Sequence, residues 1–226
     1  MSNHAFYDTL AIAAGFLDEG LSRGEARMVE HLRERGGVVL DVGCGSGRLH
    51  AELETVDFVL GVDYAATQLA VYHDNHPTAA LVRGDAKRLP CVDERFDSVL
   101  MGYHMIESLL PASAQHVAVA ESARVLKTGG HLCLTRHVRR NYRRRQQIYD
   151  FATRRVDRFG DLVGRGGNRA GGVSLAGFSM HVPSEAALRN AMSTARLEPV
   201  DAWDFDTGER RRRDSRAVVE VYRKAR

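Results

Sequence analysis

Five times between Val38 and His137 the chain follows a short apolar run with a turn or a segment of helical spacing, and this alternation limits the fold more than any other feature. The runs are VVLDVG (38–43), DFVLGVD (57–63), AALVRGD (79–85), FDSVLMGY (96–103) and HLCLTRH (131–137). Runs apolar on both faces suit strands covered from both sides, and helices between successive strands suit parallel pairing with crossovers. Helices are expected from about Arg48, over AATQLAVYHDN and over QHVAVAESARVLK, the last ended by Gly129 and Gly130.

Beyond His137 the rhythm changes. Ile148, Phe151, Ala152, Val156 and Phe159 fall on one helical face with arginines over much of the rest, the pattern of an arginine-rich amphipathic helix. Residues 160–178 hold seven glycines and read as a mobile loop. Ser184 is the expected N-cap of a helix over EAALRNAMSTA, and PVDAWDF and AVVEVYRK, joined by DTGERRRRDS, read as a closing antiparallel hairpin at the sheet edge.

With 226 residues, 44% apolar and 27% charged, the chain can bury a full core. It has no apolar stretch near the ~18 residues a membrane span needs and no signal-type start, so a cytoplasmic location is expected. Cys44, Cys91 and Cys133 lack CxxC spacing, which argues against a disulfide framework and a zinc site. The net charge of +3 is uneven: residues 136–169 carry eleven arginines against three aspartates, a local +8 that leaves −5 for the remainder. Charge gathered in one segment concerns a partner or substrate more than solubility.

The first run leads into DVGCGSG (41–47). A Walker loop needs GxxxxGK followed by Ser or Thr, which is absent here, and the third glycine of a dinucleotide fingerprint would fall on Arg48. What remains is Asp41, Gly43, Gly45 and Gly47 at a strand-to-helix turn, with Asp63 ending the next strand, where an acid can accept from both hydroxyls of a ribose. Asp41 would repel a pyrophosphate but can hold an ammonium or sulfonium. The loop therefore suits a cationic, amino-acid-bearing nucleoside.

Taken together, DVGCGSG, GVDYA, RGDAKRLPCVDERFDSVLMGYH and ARVLKTGGHLCLTRH resemble the successive motifs of class I S-adenosylmethionine-dependent methyltransferases of the small-molecule type, over roughly residues 36 to 137. The resemblance implies an α/β, Rossmann-like, doubly wound sheet of seven strands, mostly parallel with one antiparallel edge strand, and helices on both faces. It implies S-adenosylmethionine as methyl donor, S-adenosylhomocysteine as product, and no metal. Gly43, Cys44, Gly45 and Gly47 are placed against the methionine part and Asp41 by its amino group. Asp63 is placed at the ribose, Tyr64, Asp85 and Ala86 at the adenine, Gly102 and Tyr103 near the sulfonium, and Tyr7 in a lid helix over the cofactor. Cys44 can be pictured as a nucleophile, but a small residue tolerated in a glycine loop is the better reading. One departure is Arg196 in STARLEP, where the family usually has glycine.

The whole chain, 1–226, is expected to be one domain: 1–35 as N-terminal helices and lid, 36–137 as cofactor-binding core, 138–182 as an arginine-rich substrate lid, and 183–226 as the last helix and closing hairpin. Methyl transfer is a direct displacement in which alignment does most of the work, and a general base is needed only when the acceptor must lose a proton. His104 is the best-placed base, with His137 and then His181 behind it. The arginine-rich segment reads as a solvated helix face, an anionic-lipid or nucleic-acid surface, or, preferred here, a lid that pairs Arg140 and Arg144, with His181, to an anionic small-molecule acceptor. An RNA methyltransferase and a non-catalytic S-adenosylmethionine-binding regulator stay open. GYHMIE stands where an Asn-Pro-Pro-Tyr-type motif would support methylation of a base amine. Monomer and homodimer are both compatible with the sequence.

Overall fold

The computed structural model describes residues 3–9, 13, 15, 20–141 and 179–226, together with the backbone of 161–163, 169–170 and 173–174. Its centre is a seven-stranded sheet of β1 (Val38–Val42), β2 (Phe58–Asp63), β3 (Ala80–Arg83), β4 (Phe96–Met101), β5 (Leu126–His137), β6 (Leu197–Asp204) and β7 (Ala217–Lys224), in the spatial order β3-β2-β1-β4-β5-β7-β6. The first five strands pair in parallel, and β7 runs antiparallel to β5 and β6 one place in from the margin. After β3 the chain crosses back to the other side of β1. This reversal between β1 and β4 opens a crevice at the strands' carboxyl ends, where open α/β sheets take their ligands.

Helices α1 (Asn3–Tyr7), α2 (Arg23–Arg35), α3 (Ala66–Asn75), α4 (Ala112–Val125) and α5 (Glu185–Thr194) surround the sheet. Because side chains alternate along a strand, β1, β4 and β5 feed two cores. Val39, Leu100 and Cys133 pack with Met28, Val29 and Leu32 of α2, while Leu40, Val99 and Leu132 join α4 and α5 on the other face. Ser22 and Glu25 form a capping box at the start of α2, and Ser184 caps α5 by accepting from Ala187 N at 3.1 Å, as its sequence position suggests.

Local differences from the sequence reading have local causes. The helix expected from Arg48 is a series of turns with one 3-10 turn at Ala51–Leu53. Arg33 Nε donates to the Glu52 carbonyl at 2.7 Å, while Leu49, Leu53 and Val56 still reach the core. Within the glycine-rich stretch read as a loop, 161–163 pairs antiparallel with 179–181 and 169–170 with 173–174. The arginine-rich helix expected over 148–159, and Arg144, lie outside the described residues. Arg196 takes φ 58 directly after α5, the left-handed conformation for which glycine is the usual choice.

Arg136 on β5 is fully buried, donating to Glu220 on β7 at 2.7 and 2.8 Å and to Glu185 at the start of α5 at 3.0 and 3.1 Å. Arg211 reaches the same two carboxylates at 2.6 and 2.9 Å. This four-residue ion network fastens α5 and the closing hairpin to the parallel half of the sheet. Among the described residues no helix is long and apolar enough to cross a membrane.

Candidate functional site

At the carboxyl end of β1 the chain reverses through the glycine loop. Gly43, at φ 73, donates from its N–H to the Val62 carbonyl at 2.7 Å, and a side chain in its place would run into Met105. Gly47, at φ 90, lies so close to the Tyr72 ring that a Cβ would stand 2.5 Å from it. The loop is held from the next strand by Asp63, whose two carboxylate oxygens accept from Gly45 N and Ala65 N, each at 2.9 Å. Burial raises the Asp63 pKa, and these backbone donors oppose the rise.

Asp41, one residue before the turn, is 5% exposed, and its carboxylate takes no hydrogen bond from any described residue. Burial first and the neighbouring Asp63 second push its pKa up to about 7, against the pull of Arg48. Arg48 is itself committed: its guanidinium is paired with the buried Glu25 and lies 4.7 Å from the centre of the Tyr103 ring.

These groups open into a cavity of about 530 Å³, within the range that holds a small molecule. Tyr7, Asp41, Gly43, Cys44, Gly45, Asp63, Tyr64, Asp85, Ala86, Gly102 and Tyr103 all line it. Of the residues placed at the cofactor by the sequence, only Gly47 stands behind the wall. Helix α1 lies over the cavity, tied down by Thr67 N donating to Asp8 Oδ1 at 2.8 Å, Gln68 Nε2 donating to the Tyr7 carbonyl at 3.2 Å, and Asn3 Nδ2 donating to the Ser108 carbonyl at 2.8 Å. Burial, with Asp63 and Glu107 nearby, raises the Tyr7 hydroxyl. The Cys44 thiol is raised well above its ordinary pKa by burial and by Asp41 and Asp63, so it stays protonated, which favours its reading as a small loop residue.

Sequence reasoning missed Gln68 and Ser46. Both line the cavity, and Gln68 Oε1 and Ser46 Oγ are buried with no partner among the described residues. Their residue types carry no signal by themselves; only the folded loop against α3 brings them to the wall. The cations of the lining, Arg48 and Lys87, are already paired with Glu25 and Asp85. With Asp41 and Asp63 unmatched, the wall is electronegative and suits a cationic ligand.

The histidines lie elsewhere. His104 does not line the cavity: with φ 58 and its N–H donating to Thr135 Oγ1 at 2.6 Å, it turns its ring between His137, at 4.1 Å between centroids, and Phe205, at 4.8 Å. Its Nδ1 is buried without a partner among the described residues, and burial, with His137 and Arg48 acting the same way, holds its pKa well below the usual range. His104 is thus half-buried beside the cavity wall with its Nδ1 enclosed. His137 is also outside the lining; it shares a 2.7 Å hydrogen bond through Nδ1 with Glu107 Oε2, and its backbone N–H donates to Glu107 Oε1 at 2.5 Å. His181 contributes its carbonyl to Gln115 Nε2 at 2.8 Å, and Arg140 is exposed; neither lines the cavity.

Residues 40–134 match the family model described as a methyltransferase domain. The chain is 35% identical over 127 residues to the methyltransferase GfsG of Streptomyces halstedii, covering 50% of this chain and 44% of that protein. It is 31% identical over 121 residues to the phosphatidylethanolamine N-methyltransferase of Cereibacter sphaeroides, covering 51% and 58%. The chain thus spans about half the length of the curated relatives it matches. Among solved structures, the CcbJ methyltransferase of Streptomyces caelestis superposes over 100% of both chains with a TM-score of 0.77 at 20% identity, a likeness of fold.

Proposed function

We propose, for a chain whose residues 40–134 place it among the class I S-adenosylmethionine-dependent methyltransferases, that it moves a methyl group from S-adenosylmethionine to an oxygen, nitrogen or carbon of a small-molecule acceptor. The observation that carries this reading is Asp41: a buried carboxylate that takes no hydrogen bond from any described residue, facing a cavity whose remaining acids cluster at the same strand ends. An uncompensated buried carboxylate is costly, and a bound ammonium removes that cost.

Asp41 is assigned to the ammonium of the donor's amino-acid end, with the backbone of Gly43 to Gly45 close by. Asp63, whose carboxylate is held by the backbone N–H groups of Gly45, Ala65 and Tyr64, is assigned to the ribose hydroxyls. Tyr64, Asp85 and Ala86 are assigned to the base, Gln68 and Ser46 to polar atoms at the donor's amino-acid end, and Gly102 and Tyr103 to the wall beside the reacting carbon. Tyr7 on α1 closes the site from water. Bound there, S-adenosylmethionine supplies a methyl carbon made electrophilic by the adjoining sulfonium. The chain's own part is to hold the acceptor's nucleophile in line with it, where correct placement provides much of the acceleration.

We assign residues 138–182, which start beside this edge, to covering the acceptor. The preference for an anionic acceptor rests on Arg140 and Arg144 alone, since the described cavity offers no unpaired cation. The test is calorimetry with S-adenosylmethionine, followed by a screen of metabolite extract and bulk tRNA with labelled methyl donor. Absence of binding refutes the reading; label in a small-molecule fraction supports it.

One observation favours the RNA reading as runner-up. Asn141 Nδ2 donates to the Arg213 and Ser215 carbonyls, both at 2.8 Å, so the chain just after Arg139 and Arg140 meets the β6–β7 connection that holds Arg210 to Arg213. RNA bound there would be lost steeply with rising salt.

A further inference from the structure

We propose that a second site, at the β6 margin of the sheet, binds a small anion carrying two or more phosphate groups, held by Arg189, Arg196 and Arg210. The inference goes beyond methyl transfer and does not rest on it.

Helix α5, the edge strand β6 and the β6–β7 connection border a groove of about 830 Å³, a volume that can take a small molecule. None of its lining residues lines the cavity at the glycine loop. Buried Met192, Leu197 and Tyr222 contribute apolar surface to its wall.

The charge of the groove is unbalanced. Of its acids, Glu185 and Glu220 are matched by Arg136 and Arg211 in the buried ion network, and Glu198 is paired with Arg223 at 3.2 Å. Asp201 accepts from the Ala202 N–H at 2.8 Å and has no cationic partner among the described residues. Against it stand Arg189 on α5, Arg196 directly after that helix and Arg210 in the β6–β7 connection. All three are exposed, and their guanidinium groups form no ion pair or hydrogen bond with any described residue.

Arg196 carries the argument furthest. Its φ of 58 is left-handed backbone, which a side chain makes costly and where glycine is the usual helix stop. The backbone is held there at both ends: the Arg196 N–H donates to the Ser193 carbonyl at 3.1 Å, and its own carbonyl accepts from the Ala225 N–H at 2.8 Å. No bond of the guanidinium within the described fold offsets the strain, and strained residues of this kind gather at ligand clamps. Arg210 is fixed as well, through a backbone bridge to Trp203. Three cations therefore come from three places on backbones already set, which lowers the ordering cost of binding.

A guanidinium fork matches the oxygens of a phosphate, and one phosphate cannot engage three arginines set around a groove, so a ligand with several fits best. The groove is bordered by α5 on one side and the hairpin on the other, which favours a compact anion over a continuous RNA backbone.

The test is calorimetry of the full chain with tripolyphosphate in about 0.15 M KCl, against a KCl blank of matched ionic strength. Saturable one-to-one binding is expected, weaker for pyrophosphate and weakest for inorganic phosphate. Arg189→Ala and Arg210→Ala should each weaken it about tenfold, the order of magnitude for losing a hydrogen bond to a charged group. Arg196→Gly should weaken binding as much while raising the Tm, because glycine relaxes the left-handed turn; an arginine without a ligand would give the rise alone. S-adenosylmethionine affinity should be unchanged in all three variants, and Asp41→Asn should leave tripolyphosphate binding intact, so failure of this site and failure of the methyltransferase reading are told apart. No heat above the salt blank, binding unaltered by the three substitutions, or citrate binding as tightly as tripolyphosphate overturns the proposal. Single-stranded RNA that binds through these arginines and is not displaced by tripolyphosphate overturns it too.

Discussion

Acidification from pH 7 to pH 5 should release the methyl donor from this protein, and the size of the effect follows from Asp41. Without ligand the Asp41 carboxyl is held at about 7 by burial and by Asp63, well above its ordinary 3.8. The donor ammonium that we assign to it would favour the ionised form, so binding would expel whatever proton Asp41 holds. The fraction of protein ready to bind then falls to about half at pH 7, about one eleventh at pH 6 and about one hundredth at pH 5, or tenfold per pH unit at the acid end. Over this interval an α-ammonium, with pKa ≈ 7.7–8.0, and an α-carboxylate, with pKa ≈ 3.3–3.7, hold their charges, so the ligand contributes little to the slope. The sign for stability is the reverse. A carboxyl raised in the fold costs stability as pH climbs from 3.8 to about 7, and at about 1.4 kcal/mol for each pH unit crossed the cost reaches about 4 kcal/mol at most. Asp41→Asn should therefore raise the Tm of the ligand-free protein at pH 8 while weakening donor binding and flattening its pH dependence. Calorimetry at pH 5, 6, 7 and 8, in two buffers of different ionisation enthalpy, measures the Kd and the protons released together. An affinity constant between pH 5 and 7, or a slope surviving in Asp41→Asn, refutes the reasoning.

Gly47→Ala should destabilise by about 1–3 kcal/mol in urea melts, because the left-handed backbone and the Tyr72 ring both oppose a Cβ. Removing one partner of the buried network, as in Glu220→Gln, should cost about 3–5 kcal/mol by leaving Arg136 under-compensated, again read from urea melts; a cost below about 1 kcal/mol would show the network is not desolvated as described. His31 Nε2 and His131 Nδ1 share a 2.9 Å hydrogen bond, and burial with Arg35 lowers the His131 pKa to about 4. Since the unfolded chain binds that proton near 6.5, stability should be full above pH 6.5 and decline toward pH 4, and replacing both histidines with glutamine should flatten that part of the profile.

The alternation of apolar runs with helical spacing carried the sheet and its two-sided covering, because strand residues that point to opposite faces both meet apolar neighbours. Asp41, Asp63 and Asp85 were legible as a set because each ends a run, and strand ends in such a sheet converge on one edge. Helix spacing after Gly47 misled, since Leu49, Leu53 and Val56 satisfy the same burial through turns. The histidines show a different limit. Sequence places His104 just after β4 and His137 at the end of β5 but says nothing of which way a ring turns, and in the fold neither lines the cavity.

By itself, then, the sequence determined the parallel α/β sheet, the glycine turn and the acids that surround it, since these depend on residues adjacent in the chain and on which face each points to. Only the tertiary structure decided that Asp41 is buried in the cavity wall with no hydrogen bond from any described residue, that α1 lies over the cavity through an Asn3–Ser108 contact 105 residues apart, and that Glu107 meets His137 across 30. Burial and hydrogen bonding between distant segments set protonation and orientation, and no local pattern encodes either.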